Sequence, residues 1–147
     1  MHAWKEGVWR AVTAEKQTAG RGQQEKKWFS PANCNIYATL HYFDKTQLVD
    51  IQNINNIITK ATVTFLSTEG VEATIKRPND VLVKGKKIAG ILLETRMEPD
   101  GTHLIVGVGL NINMGEKECH MIEQPVTSLA LESGKVFIYF RVSLVAK

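Results

Sequence analysis

At 147 residues the chain has the length of one domain, 1–147, enough to bury a sizeable core. Apolar residues make up 44%, charged residues 22%, and the formal net charge of +3 is small and dispersed, which gives no basic stripe for nucleic acid. No apolar run reaches the ~18 residues of a membrane span, no export signal heads the chain, and Cys34 and Cys119 lack metal-ligand spacing, so a cytoplasmic protein is expected.

Residues 8–14 alternate loosely, with Val8, Arg10 and Val12 on one side and Trp9, Ala11 and Thr13 on the other, and predict a strand. The polar stretch 15–33 is longer than an ordinary connection, which marks it as functional or disordered. Residues 35–43 carry Ile36, Ala38, Leu40 and Tyr42 in strict alternation, a second strand. From Lys45 the period changes. Leu48, Ile51, Ile54, Ile58, Ala61 and Phe65 predict an amphipathic helix ending near Leu66, with Asp44 as its N-cap and an exit turn at residues 67–70. Asn53, Asn55 and Asn56 lower its propensity, so packing must hold it.

Residues 72–76 predict a short strand. Pro78 pushes Arg77 to an extended conformation, and Asn79 and Asp80 turn or cap the chain. Residues 81–83 and 87–95 predict a hairpin about Lys84, Gly85 and Lys86. Gly90 interrupts the second strand and marks a bulge or a close approach to a ligand. After a turn at Pro99, Asp100 and Gly101, residues 103–111 return as an apolar strand bearing Gly107 and Gly109. Residues 126–132 predict a short helix stopped by Gly134. Residues 136–146 are apolar and fit helix or strand. The fold class is α+β, a mixed, largely antiparallel sheet with helices packed on one face.

Two stretches carry the chemistry. In the first, Gly20 and Gly22 flank Arg21, with Lys26, Lys27 and Trp28 behind. Glycine lets backbone N–H groups approach a ligand, successive N–H groups form a concave anion site, and arginine and lysine suit phosphate or carboxylate. An ordinary polar surface loop has the same composition. The second stretch, from Lys76 to Glu94, joins a charged turn to the lysine-rich hairpin and the glycine-interrupted strand.

Gln17-Thr18-Ala19-Gly20-Arg21-Gly22, closed by Trp28-Phe29-Ser30-Pro31, resembles the biotin-binding loop of biotin–protein ligases. Lys76-Arg77-Pro78-Asn79-Asp80 with Lys87-Ile88-Ala89-Gly90-Ile91 resembles that family's second signature, and Gly107-Val108-Gly109-Leu110-Asn111 its third. All three stand in the family's order, across about residues 7–134. The resemblance implies the class II synthetase-like catalytic core of those ligases, with a helix at residues 136–146. It also implies two steps. Biotin and ATP form biotinyl-5′-AMP, and biotin then passes to a lysine of a carboxylase's biotin carrier domain.

By the same resemblance, Lys87 contacts the biotin carboxylate and then the adenylate, with Arg21 and Lys76 also catalytic. Gln17 binds the ureido group. Gly20, Gly22, Gly90 and Ile91 line the ligand, and Asn111 lies near the phosphates. Asp80 is the candidate Mg²⁺ contact. Trp28 either folds over the nucleotide region or anchors the core. Lys84 and Lys86 read as solvated turn residues. Glu94 and the histidines His41, His103 and His120 read as structural or surface residues.

The chain departs from the family at several points. Gln23 stands where an arginine helps hold the acyl-adenylate, and losing a charged hydrogen bond to phosphate weakens retention by ~1.5–3 kcal/mol. This predicts a leakier intermediate or compensation by Lys26 or Lys27. Glu25 stands where the family's loop has a further glycine after Gly20 and Gly22, and Arg77 replaces a tryptophan. The family's N-terminal Ser-Thr-Asn segment, its C-terminal small barrel and a DNA-binding domain have no counterpart, so repression is not expected. A homodimer is expected by resemblance. The competing readings are a lipoate- or octanoate-type acyl ligase and a catalytically impaired biotin- or carrier-binding remnant.

Overall fold

The computed structural model describes residues 7–46 and 49–138. Six strands form one sheet: β1 (Arg10–Ala14), β2 (Ile36–Asp44), β3 (Thr74–Lys76), β4 (Asp80–Val83), β5 (Lys86–Glu98) and β6 (Gly101–Leu110). Their order is β1-β2-β6-β5-β4-β3. Every pairing between these strands is antiparallel, and a parallel bridge joins Lys87 to Val126. The expected mixed, largely antiparallel sheet is present.

Alternation divides the sheet into two faces. On β5, Ala89, Ile91 and Leu93 join Val81, Val83, Val106, Leu110 and Leu129 in the apolar core. Gly90, Leu92 and Glu94 point the other way and line an open cavity. Helix α1 (Ile51–Thr68) covers the core face and touches β5, β3 and β4.

Helix α1 departs from its expected start. Strand β2 keeps pairing with β6 as far as Asp44 opposite Thr102, so Asp44 belongs to the sheet. The cap is Asp50, whose carboxylate accepts from the Asn53 N–H at 3.0 Å. Leu48, expected on the apolar face, lies outside the described residues. The face pressed on the sheet overlaps the expected one only in part: Ile54 and Ile58 pack on the core, but Asn55, Thr59, Thr62 and Leu66 are the buried residues, while Ile51 and Phe65 are exposed. The buried polar groups are satisfied locally. Asn55 donates to the Pro78 carbonyl at 2.8 Å, and Thr59 and Thr62 donate to carbonyls one turn back.

The hairpin between β4 and β5 turns on Lys84 (φ 49°) and Gly85 (φ 78°), with Val83 opposite Lys86. Positive φ at both central residues is the turn that matches strand twist. Strands β5 and β6 run past their expected ends and close on each other with Glu98 opposite Gly101. Helix α3 (Leu129–Ser133) stops at Gly134 (φ 70°), as expected. The short helix α2 (Glu116–His120) was not anticipated. Residues 136–138 form no helix, and residues 139–147 of the expected terminal helix lie outside the described residues.

Candidate active site

Gly90 on β5 stands directly opposite Gly109 on β6. The pair forms a side-chain-free floor, and the Trp28 indole lies on it. A Cβ at Gly109 would come within 2.6 Å of the indole, and one at Gly90 within 2.9 Å. The glycines that punctuate both strands therefore mark a close approach. Trp28 is half-buried, and its Nε1 is buried without a hydrogen-bond partner among the described residues. It lines both cavities from this position and is not part of the buried core.

The polar loop that carries Trp28 is ordered as a small hairpin. Trp28 N–H donates to the Gly20 carbonyl at 2.8 Å, Gly22 N–H to the Lys26 carbonyl at 2.6 Å, and Arg21 bridges Lys27 across it. Its tip is the short 3-10 turn Gln23–Glu25. At its base the Ser30 hydroxyl donates to Gln17 Oε1 at 2.9 Å, and the Tyr37 hydroxyl donates to the Pro31 carbonyl at 2.7 Å. Burial pushes the Tyr37 hydroxyl up to about 12, so it remains a neutral donor. Gly20 is wedged under this base, where a Cβ would meet the Trp28 carbonyl at 2.5 Å and the Ser30 hydroxyl at 2.7 Å.

Lys87 enters from the first turn of β5. Its backbone is clamped by the 125–127 segment: its N–H donates to the Pro125 carbonyl at 2.9 Å, and its carbonyl accepts from Thr127 N–H at 3.0 Å. The ammonium lies 2.9 Å from Asp80 Oδ1 and 5.1 Å from the centre of the Trp28 ring, inside the range of a cation–π contact. Asp80 is placed by the turn before it. Asn79 donates to the Ile91 carbonyl, and Ile91 N–H returns the bond to Asn79 O at 3.0 Å. Asn55 of α1 grips the same turn through Pro78.

Two cavities share Trp28 and Lys87. One, of about 250 Å³, runs over the sheet floor between Gln17, Arg21, Gln23, Asn79, Asp80, Gly90, Ile91 and Glu94. The other, of about 650 Å³, opens toward Gly20, Asn111, Met121, Gln124 and Val126. Lys26 and Lys27 line both. An ammonium at the junction of two clefts, with further cations on the loop above, suits the joining of two anions.

Of the residues singled out in the sequence, Gln17, Gly20, Arg21, Gly22, Trp28, Asp80, Lys87, Gly90, Ile91 and Asn111 converge on these cavities. Asn111 is 3% exposed, and its side chain joins Asn35 to the Thr127 carbonyl, so it braces the wall. Lys76 stands on the edge strand β3, exposed and opposite Asp80 in register, outside the lining of both cavities. Arg77 turns to Asn56 of α1 at 3.3 Å.

Sequence reading missed the 121–127 wall, which has no periodicity, and the part played by Glu94. Arg21 makes a two-point ion pair with Glu94, at 3.2 and 3.0 Å. Cys34 and Cys119 both lie outside the linings. Burial, and then the Glu118 carboxylate, raise both thiols above their ordinary value, so neither is an activated nucleophile. Among the described residues no helix is long and apolar enough to cross a membrane.

Residues 4–111 match the model of the biotin/lipoate A/B protein ligase family. The chain is 33% identical over 127 residues to the bifunctional ligase/repressor BirA of Bacillus spizizenii, covering 84% of this chain and 39% of that protein. It is 33% identical over 130 residues to the biotin--[acetyl-CoA-carboxylase] ligase of Paracoccus denitrificans, covering 84% of this chain and 53% of that one. The chain thus spans about two fifths to half the length of these relatives. Among solved structures, the biotin protein ligase of Aquifex aeolicus in complex with biotin and ATP superposes with a TM-score of 0.70 at 25% identity, over 93% of this chain and 56% of that one. Matched along most of its length in sequence and in fold, the chain belongs to the biotin/lipoate A/B protein ligase family.

Proposed function

We propose that the chain carries the catalytic core of a biotin–protein ligase, which joins biotin to ATP as biotinyl-5′-AMP and passes biotin to a lysine of a carboxylase's biotin carrier domain. The observation that carries this reading is the Lys87 ammonium at the junction of the two cavities, aimed by Asp80 and roofed by Trp28. The relatives' names agree with it.

In this reading biotin lies in the cavity beside the indole-covered glycine floor, with its carboxylate at Lys87. The ammonium offsets the repulsion between that carboxylate and the α-phosphate, and then the charge that builds as the acyl–phosphate bond forms and pyrophosphate leaves. Lys26 and Lys27 sit where they compensate for the missing arginine at Gln23. The ordered hairpin screens the mixed anhydride from water until an acceptor lysine attacks it. Asp80 is the carboxylate offered to magnesium. Among the described residues no cluster of three or more metal-ligating side chains exists, but one carboxylate completed by phosphate oxygens and water suits this ion. When bound, magnesium would neutralise phosphate charge. We place the protein in the cytoplasm as a homodimer, the latter checked by light scattering at high concentration, where a monomer would refute it.

Calorimetry of the chain with biotin, biotinyl-5′-AMP and lipoate, the biotin titration repeated with ATP and Mg²⁺ present, tests the proposal. Biotin heat with tighter adenylate binding is expected. Preference for lipoate would move the chain to the acyl-ligase branch, and biotin binding indifferent to ATP would make it a remnant.

A further inference from the structure

We propose that Glu94 is the positioning residue for Arg21. It latches the 20–28 hairpin shut with Trp28 seated on the Gly90–Gly109 floor, and so sets the affinity for the acid that binds in the cavity Trp28 walls. The ligand half of this inference rests on the ligase reading above, whereas the latch itself does not.

Glu94 follows Gly90 and Leu92 on the cavity face of β5. At ~3.3 Å per residue it stands about 13 Å along the strand from Gly90, toward the end of the floor away from Lys87. Arg21 reaches it from 73 positions earlier in the chain, with one guanidinium N–H on each carboxylate oxygen, at 3.2 and 3.0 Å. Such a fork fixes direction as well as distance. The side chains are 69% and 40% exposed, so the pair contributes little to global stability. What it governs is local.

Arg21 and Trp28 belong to one rigid piece, since Gly20 and Gly22 are bonded to Trp28 and Lys26 across the hairpin. The indole rests on the floor by packing and by its contact with Lys87, with no hydrogen bond from Nε1. Among the described residues, the two Arg21–Glu94 bonds are the hydrogen bonds that tie residues 20–28 to the strands. Releasing Arg21 therefore frees the hairpin to lift, and Trp28 leaves the floor with it. An incidental surface pair would leave Trp28 where it is.

The test is hydrogen exchange at the Trp28 indole Nε1–H, read by NMR on the ligand-free full chain, paired with steady-state kinetics for biotin. Glu94→Gln keeps the shape and removes the charge. The Trp28 indole N–H, which is buried against the floor and takes no part in the hairpin's own bonds, should then exchange about two- to fivefold faster, the change expected for one lost pair of this exposure. KM for biotin should rise by a similar factor at unchanged kcat. Added salt should move the wild type toward the variant and leave the variant unmoved, because an exposed ion pair is screened. The reciprocal Arg21→Glu, Glu94→Arg chain should recover the exchange protection without recovering turnover. Wild-type exchange at Trp28 together with an unchanged KM in Glu94→Gln would overturn the latch. If biotin fails to act on the wild type, the ligase reading falls, and exchange alone still decides the latch.

Discussion

Lys87 combines an ion pair, an aromatic contact and a backbone clamp, and its removal separates chemistry from folding. Its backbone bridges to Pro125 and Thr127 survive a change of side chain. Lys87→Met should therefore cut biotin-dependent ATP–pyrophosphate exchange by about 100-fold or more, the scale of a lost electrostatic donor to the transition state, while the melting temperature stays close to wild type. Glu25 offers a test of the opposite kind. It occupies a glycine position of the family's loop with φ 61°, beside Gln24 at φ 53°. A side chain in the left-handed region costs about 1–2 kcal/mol, partly offset by the greater freedom that glycine has when unfolded. Glu25→Gly should raise stability by up to about 1 kcal/mol in urea titration and, on the proposed ligase reading, tighten nucleotide binding by removing a negative charge from the cavity lining.

At the scale of elements, legibility followed the physics of each signal. Strand alternation in β2 and the positive-φ turn of Lys84 and Gly85 are local properties, and both stood where expected. The start of α1 did not. Asp44 and Asp50 are both good caps, and long-range pairing with β6, invisible in local sequence, took the first into the sheet. The buried face of α1 was legible in part: Ile54 and Ile58 pack on the core, but Asn55, Thr59 and Thr62 satisfy themselves on nearby carbonyls, so polarity did not bar them from the interior. The floor glycines were legible as interruptions, but Glu94 was not legible as a partner, since nothing local pairs it with Arg21. The brace behind Lys87 is α3, capped by Ser128, whose hydroxyl accepts from Leu131 N–H at 3.2 Å and donates to the Met114 carbonyl at 2.6 Å. Ser128→Ala should lose about 1–2 kcal/mol, read as a lower urea midpoint, and should also weaken biotin binding by loosening the 125–127 clamp.

For the whole molecule, the far end of the cavity face sets a pH limit. His41 Nε2 lies 2.9 Å from His103 Nδ1, with Arg10 opposite His41 on β1 and Glu98 3.6 Å from His103. Burial first, and then the neighbouring His103 and Arg10, hold His41 below its ordinary value of 6.5. The unfolded chain therefore binds a proton that the folded chain refuses. The stabilisation is complete above the unfolded value and is lost as pH falls through it toward the folded one. The melting temperature should drop between about pH 7.5 and about pH 5.5, and His41→Gln should flatten that drop. A slope identical to wild type would assign it elsewhere. The facing glycines Gly90 and Gly109 have a consequence for the protein's history. A surface made of bare backbone has no side chain to exchange, so divergence toward a different acid can proceed only through the lid, the lysine and the flanking wall. Relatives that differ in what they bind should then differ around the rim of the site while keeping the same blank centre.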